Sequence, residues 1–170
     1  AVGTPAVGAG SAATARPAGG QGAVAQVHVQ RLRDVQGSVL LQLYLDRVDA
    51  HGETALVFCG GAFSHAIRKG PLLRPGEGPT RALFAVEHIS PRTPTAEEMQ
   101  VAERTLSAIP FEQPLLYARV DLLHADQGGD ANGKPQVLEL ELTAPSLFFA
   151  HAPGSAERFV DAIMQRLPVR

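Results

Sequence analysis

The chain has 170 residues, 45% of them hydrophobic and 19% charged, with a formal net charge of −2. That length suits one ordinary domain or two small subdomains with a real core, and the near-neutral balance excludes a global basic field for nucleic acid or anionic lipid. No apolar stretch reaches the ~18 residues of a membrane span, and no basic segment followed by a compact apolar one marks a signal peptide.

In chain order, residues 1–25 are rich in Ala and Gly, which reads as a linker. "AVGAGS" within them also places small residues where a backbone could approach a phosphate, although no Walker lysine follows. Residues 22–36 predict a helix with Val24, Val27, Leu32 and Val35 roughly on one side. "SVLLQLYL" (38–45) predicts a strand. "ETALVFCGG" (53–61) and "AFSHAIRKG" (62–70) predict two strands turning at Gly60-Gly61. Cys59, the single cysteine, lies in that apolar run and reads as a buried inert thiol; its lack of an internal partner fits a reducing cytoplasm.

Residues 72–80 read as a loop and "RALFAVEHI" (81–89) as a strand. Thr95 and Glu98 make a capping box for a helix carrying Met99, Ala102, Leu106 and Ile109 at helical spacing. "PLLYARVDLL" (114–123) and "QVLELEL" (136–142) predict two strands joined by a turn-rich connection. Ser155 predicts the cap of a last helix with an apolar stripe of Phe159, Val160, Ile163 and Leu167, stopped by Pro168. Strands outnumber helices and tight turns link several of them, so the fold class is α+β with a largely antiparallel sheet and flanking helices.

A strand points successive side chains to opposite faces. Val137, Glu139 and Glu141 then share one face of their strand, and Tyr117, Arg119 and Asp121 share one face of the preceding strand. If the two pair, Asp121, Glu139 and Glu141 fall together. Two readings stay open: a solvated sheet face in which Arg119 offsets part of the charge, or a carboxylate set for a hard cation such as Mg²⁺. The parity of "SHAIRKGP" puts His65, Ile67 and Lys69 on one face and Ser64, Ala66 and Arg68 on the other. The basic residues there either steady phosphate or guard an edge strand. The six histidines show no short metal-ligand spacing and read as surface or satisfied residues.

Taken together, "LLQLYL" with "GETALVF", "GGAFSHAIRKGP", "ISPRTP", "LLYARVDLL" and "LELELTAPSLFF" resemble the ATP-grasp superfamily, in particular its glutathione-synthetase-like ligases and the cyclo-ligase of cycloserine biosynthesis. The similarity covers roughly residues 38–165 well and 1–36 weakly. It implies an ATP- and Mg-dependent carboxylate–amine (or related) ligase acting through an acyl phosphate, or the nucleotide-binding part of one. A non-catalytic ATP-grasp fragment serving as a binding or structural module is the alternative. The implied metal ligands are Asp121, Glu139 and Glu141, with Glu141 where the family commonly has asparagine, and Pro145 stands where the family has a proline.

The resemblance further implies ATP contacts at Gly8, Gly10 and Ser11 in the glycine loop, an adenine pocket lined by Gln42, Leu43, Tyr44 and Leu45, a ribose contact at Glu53, and catalytic cations at Arg68, Lys69 and Arg119. Thr4 stands before Pro5 where the family carries a lysine. The expected division is a partial glycine-rich subdomain over 1–37 and a carboxy-terminal lobe over 38–170, together the carboxy-terminal two-thirds of such a ligase without its amino-terminal lobe. Expected partners are small-molecule carboxylate and amine substrates, with no nucleic acid and no membrane.

Overall fold

The computed structural model describes residues 2–3, 22–36, 39–41, 45, 47–71, 88–112, 114–125 and 133–168. They fall in two compact units: residues 1–44 with 71–87, and residues 45–70 with 88–170. In the first, strand β1 (Val2–Gly3) pairs antiparallel with β2 (Leu40–Leu41), and α1 spans Gly22–Gln36. The helix buries His28 and Leu32, while Val24 and Val27 stand exposed. The buried side therefore follows Ala25, His28, Val29 and Leu32, an i, i+3, i+4, i+7 set. Of the stripe expected from sequence, Leu32 lies on that side and Val24 and Val27 do not.

The second unit is built on α2 (Arg47–His51), β3 (Glu53–Cys59), β4 (Ala62–Lys69), β5 (Ile89–Arg92), α3 (Ala96–Ser107), β6 (Tyr117–Ala125), β7 (Lys134–Glu141) and α4 (Ser155–Met164). Its five strands form one antiparallel sheet in the order β5-β4-β3-β6-β7. The α+β class expected from sequence is the observed one. The central strand β3 is buried on both faces, which explains why "ETALVFC" reads as a nearly continuous apolar run instead of an alternating one.

One face carries Leu56, Phe58, Ala66, Val120 and Leu122, packed with Ala102 of α3 and with Met99, Val101 and Leu106 beside it. On the other face, Val57 and Cys59 pack with Ala162 of α4, with Leu116, Leu147 and Phe159 around them. Helix α4 thus covers the hairpin end of that face. Its inward residues include Ser155, Phe159 and Ala162, whereas Val160 and Leu167 of the expected stripe are exposed. Ser155 is also not the cap: Gly154, in the left-handed region at φ 75, holds that position. The Ser155 hydroxyl instead donates to the Phe149 carbonyl at 3.3 Å.

The β3–β4 turn is the one the glycine pair predicts. Gly60 and Gly61 have φ of 60° and 85°, the two positive values that a tight hairpin turn demands. A Cβ on Gly61 would also lie 2.6 Å from the Pro114 Cβ. The Thr95–Glu98 capping box forms as read: the Glu98 amide donates to Thr95 Oγ1 at 3.1 Å and the Thr95 amide to Glu98 Oε2 at 2.7 Å.

Elsewhere boundaries differ. The expected strand over 114–123 starts only at Tyr117 and runs to Ala125. Of the expected strand over 38–45, Leu40–Leu41 is strand, Leu45 is not, and residues 42–44 lie outside the described residues. Residues 72–87 lie outside them too. The short edge strand β5 and helix α2 have no counterpart in the element-by-element reading. Pro91 sits in β5, tolerated because β5 is an edge.

Two substitutions separate these local devices. Thr95→Ala is expected to lower unfolding stability by about 1 kcal/mol, the usual worth of an N-cap. Gly61→Ala is expected to lower it by about 1–3 kcal/mol through the positive φ, with the Pro114 clash adding to this. Urea unfolding of both variants beside the wild type checks the order.

Candidate functional site

The parity of the sheet decides which polar side chains meet. Asp121 on β6 pairs with Ala55 of β3 on one side and Glu139 of β7 on the other, and Arg119 likewise pairs with Val57 and Glu141. Glu53 opens β3 opposite Lys69, which ends β4. Gly52 makes this closure possible: at φ 74, a Cβ there would lie 2.5 Å from the Lys69 carbonyl oxygen. Glu53, Lys69, Arg119, Asp121, Glu139 and Glu141 therefore share one face, at the end that α4 leaves open.

The carboxylates converge as the alternation predicts, with one oxygen from each of Asp121, Glu139 and Glu141 within 4.8 Å of the others. The alternation itself breaks just beyond them. A bulge shifts the register so that Leu122 pairs with Val137, leaving Leu138 unmatched and Val137 out of the glutamate set. Bulges beside a site re-aim side chains in this way.

Asp121 is the centre. Its side chain is 1% exposed. Arg119 grips it with two parallel hydrogen bonds, Nε to Oδ1 and Nη2 to Oδ2, each 2.8 Å. Lys69 Nζ donates to Asp121 Oδ2 at 2.7 Å and also to Glu53 Oε1. Arg119 Nη2 further pairs with Glu141 Oε1 at 2.9 Å, and its Nη1 donates to the Ser146 carbonyl at 3.2 Å. The Phe148 ring lies beside both cations, 5.5 Å from Arg119 Cζ and 6.0 Å from Lys69 Nζ. Phe148 adopts a left-handed backbone at φ 52, a conformation that costs an aromatic residue energy and tends to mark functional positions. The quoted "SLFF" contains this residue, but sequence gave it no role.

The charges do not balance. Four carboxylates, Glu53, Asp121, Glu139 and Glu141, face two cations, Lys69 and Arg119. Burial alone would raise the Asp121 carboxyl, but the Arg119 hydrogen bonds and the Lys69 charge outweigh it and hold that carboxyl below its usual range. The excess shows on the others. Burial pushes the Glu53 carboxyl up to about 7 despite the Lys69 bond, with Asp121 adding to the rise. Burial, Glu141 and Asp121 raise Glu139. Against the opposing effect of burial, Asp121 and Glu53 hold the Lys69 ammonium above its usual range. A divalent cation coordinated by oxygen would supply the missing charge, and an all-carboxylate donor set suits Mg²⁺.

Of the remaining positions given a role by resemblance, Arg68 faces away from the carboxylates. Its Nε donates to the His51 carbonyl at 2.8 Å and its Nη2 to the Ala50 carbonyl at 3.1 Å. The strand parity had already separated Arg68 from Lys69. Leu45 is half-buried, and its carbonyl accepts from the Val48 amide at 3.0 Å, starting α2. Gly8, Gly10, Ser11, Gln42, Leu43, Tyr44 and Thr4 lie outside the described residues.

A second polar cluster sits on the opposite sheet face, and sequence spacing concealed it. Glu98, fully buried, accepts from Thr54 Oγ1 at 2.6 Å and lies 3.1 Å from His124 Nε2, all through Oε1. The His51 ring centroid lies 4.1 Å from that of His124, with the two planes tilted by 42°. Burial would raise Glu98, but Thr54, the Thr95 amide and His124 hold it below its usual range. Burial, His124 and Arg92 hold His51 below its usual range, so it is neutral near pH 7.

The raised Glu53 carboxyl fixes a sign for pH. A carboxyl whose pKa is higher in the folded state binds more protons there, so its contribution favours folding less as pH rises from its unfolded value of 4.5 through about 7. Asp121 acts oppositely: its lowered pKa stabilises above its ordinary value of 3.8 and is lost as pH falls. Relative to Glu53→Gln, the metal-free wild type is therefore expected to lose stability between pH 5 and pH 8, whatever the lowered His51 and His65 add to both. Urea unfolding across this range, with chelator present, checks it.

No family model matches the chain. It is 38% identical over 144 residues to the cycloserine biosynthesis protein DcsG of Streptomyces lavendulae, a match covering 82% of this chain and 46% of that protein. The crystal structure of D-cycloserine synthetase DcsG superposes with a TM-score of 0.66 at 32% identity, over 86% of this chain and 49% of that one. A D-alanine–D-alanine ligase from Bacillus anthracis, complexed with ATP, is similar at a TM-score of 0.48 and 20% identity, over 82% of this chain and 45% of that one. The chain spans about half the length of these relatives, less than the two-thirds expected from sequence. In sequence and in its antiparallel sheet with flanking helices, the chain resembles the ATP-grasp ligases.

Proposed function

We propose that the carboxylate face is a Mg–ATP site, and that the protein to which it contributes is an ATP-dependent ligase joining a small-molecule carboxylate to an amine or related nucleophile by way of an acyl phosphate. The observation that carries this reading is the convergence of Asp121, Glu139 and Glu141 beside Lys69 and Arg119, with two more acidic than basic groups on that face. The similarity to a cycloserine synthetase supports the same reaction class.

In this reading Asp121, Glu139 and Glu141 hold the metal. Bound there, Mg²⁺ offsets phosphate charge and polarises phosphate oxygens. Lys69 and Arg119 stand as fixed donors for the anionic oxygens that gain charge during phosphoryl transfer. Their carboxylate partners keep both cations charged, and the partners also fix their positions before any ligand arrives. Phe148 lies against both cationic groups and limits water on that side, which strengthens their electrostatic effect.

Calorimetric titration with a non-hydrolysable ATP analogue and Mg²⁺ tests the proposal. Binding is expected to require the metal and to weaken roughly tenfold to a hundredfold in Glu139→Gln, the loss of one charge-assisted contact. The same substitution removes like-charge repulsion, so it is expected to raise the unfolding midpoint without metal while reducing the rise that Mg²⁺ produces. Metal-independent binding, or binding unchanged in Glu139→Gln, would overturn the assignment. Binding without ATP-dependent product in the complete protein would favour the binding-module alternative.

A further inference from the structure

The face of the sheet away from the carboxylates carries a different donor set. Helix α2 ends with His51, α3 contributes Glu98 from its first turn, and β6 contributes His124. One donor atom from each lies within 4.8 Å of the other two. We infer that His51, Glu98 and His124 form a binding site for a transition-metal ion of the Zn²⁺ class, distinct from the carboxylate face and independent of the ligase reading.

Two imidazoles and one carboxylate are a Zn²⁺ donor set, whereas Mg²⁺ and Ca²⁺ prefer oxygen alone. Bonds of roughly 2.0–2.1 Å place two tetrahedral ligands about 3.3 Å apart. The His124 Nε2–Glu98 Oε1 separation is 3.1 Å, close to that edge. A His51 ring nitrogen lies within 4.8 Å of both. His51 Nε2 is a buried ring nitrogen with no hydrogen-bond partner, a state that ordinary folding avoids and that calls for a specific cause. A bound cation supplies one.

The surroundings hold these ligands in place. The Thr95 amide donates to Glu98 Oε2 at 2.7 Å and Thr54 Oγ1 donates to Oε1 at 2.6 Å, fixing the carboxylate. The His51 carbonyl accepts from Arg68 Nε and Arg92 Nη1, each at 2.8 Å, which fixes the end of α2. Such outer contacts orient metal ligands and are worth a large share of affinity. Arg92 Nη2, 3.9 Å from Glu98 Oε1, brings a positive charge that opposes a cation and limits how tightly it binds. Three protein donors leave a position for water, as open zinc sites do. The ion would join α2 directly to α3 and β6, which the Glu98–His124 contact already links to each other.

The test uses the full chain, stripped with chelator and titrated with Zn²⁺ in excess Mg²⁺, then with Co²⁺ as a spectroscopic probe. Expected are uptake of a single Zn²⁺, a Zn²⁺-dependent rise in unfolding midpoint, and the intense visible absorption of four-coordinate Co²⁺. All three should persist in Glu139→Gln and be lost in His51→Ala, a change that removes the unpartnered Nε2. Thr54→Val should weaken Zn²⁺ binding roughly 10–100-fold, the usual effect of removing an outer contact. If His51→Ala does not fold, the wild-type Co²⁺ spectrum decides. Weak six-coordinate bands, no Zn²⁺ uptake, or uptake that survives His51→Ala and is lost in Glu139→Gln would overturn the inference and leave a hydrogen-bonded core network.

Discussion

A buried aspartate held by two cations is the constraint around which the sheet is arranged. Asp121 takes both donors of the Arg119 fork on its own strand and the Lys69 ammonium from β4, two strands away. A carboxylate removed from water is tolerated only when such partners are in place. Satisfying it requires β4, β3 and β6 to be in one register, because a one-residue slip would carry every side chain to the other face. The hydrophobic pattern of β3 fixes the same register independently, since Val57 packs toward α4 and Leu56 toward α3. Core packing and the polar cluster therefore select the same alignment.

The sheet then works as a partition. Odd-numbered positions of β3 and β6 carry the carboxylate face, and even-numbered positions carry the α3 core together with Thr54 and His124. Arg68 and Lys69 are neighbours in sequence but fall on opposite sides of this partition. One clamps the end of α2 and the other joins Asp121. Two polar clusters of different chemistry, one rich in oxygen and the other in imidazole, thus stand back to back with a layer of buried strand between them.

Glu98 links local and long-range structure. As the third residue of α3 it closes the capping box, a contact within four residues of sequence. With its other oxygen it meets Thr54 and His124, 44 and 26 residues away. The helix start is thereby pinned to the sheet by a hydrogen-bonded carboxylate as well as by the apolar contacts of Met99 and Ala102. A buried carboxylate with this many donors is stable where an unpaired one would not be.

What the sequence by itself determined is local. Gly60-Gly61 dictated the hairpin because only residues tolerant of positive φ make that turn, and Thr95 with Glu98 dictated a helix start because their bonds close within one turn. Alternation on two strands brought Asp121, Glu139 and Glu141 together because side-chain direction follows parity, and the same parity separated Lys69 from Arg68. Tertiary structure decided the rest. The bulge at Leu138 interrupts the alternation, and nothing in the composition of "VLELE" marks it. The inward side of α4 was set by what it packs on, Val57 and Cys59, so Ala162 is buried while the larger Val160 is exposed. His51 and His124 lie 73 positions apart in sequence, with rings 4.1 Å apart in space. No spacing rule reaches across that distance, because their meeting depends on α2 and β6 being brought to the same face of one sheet.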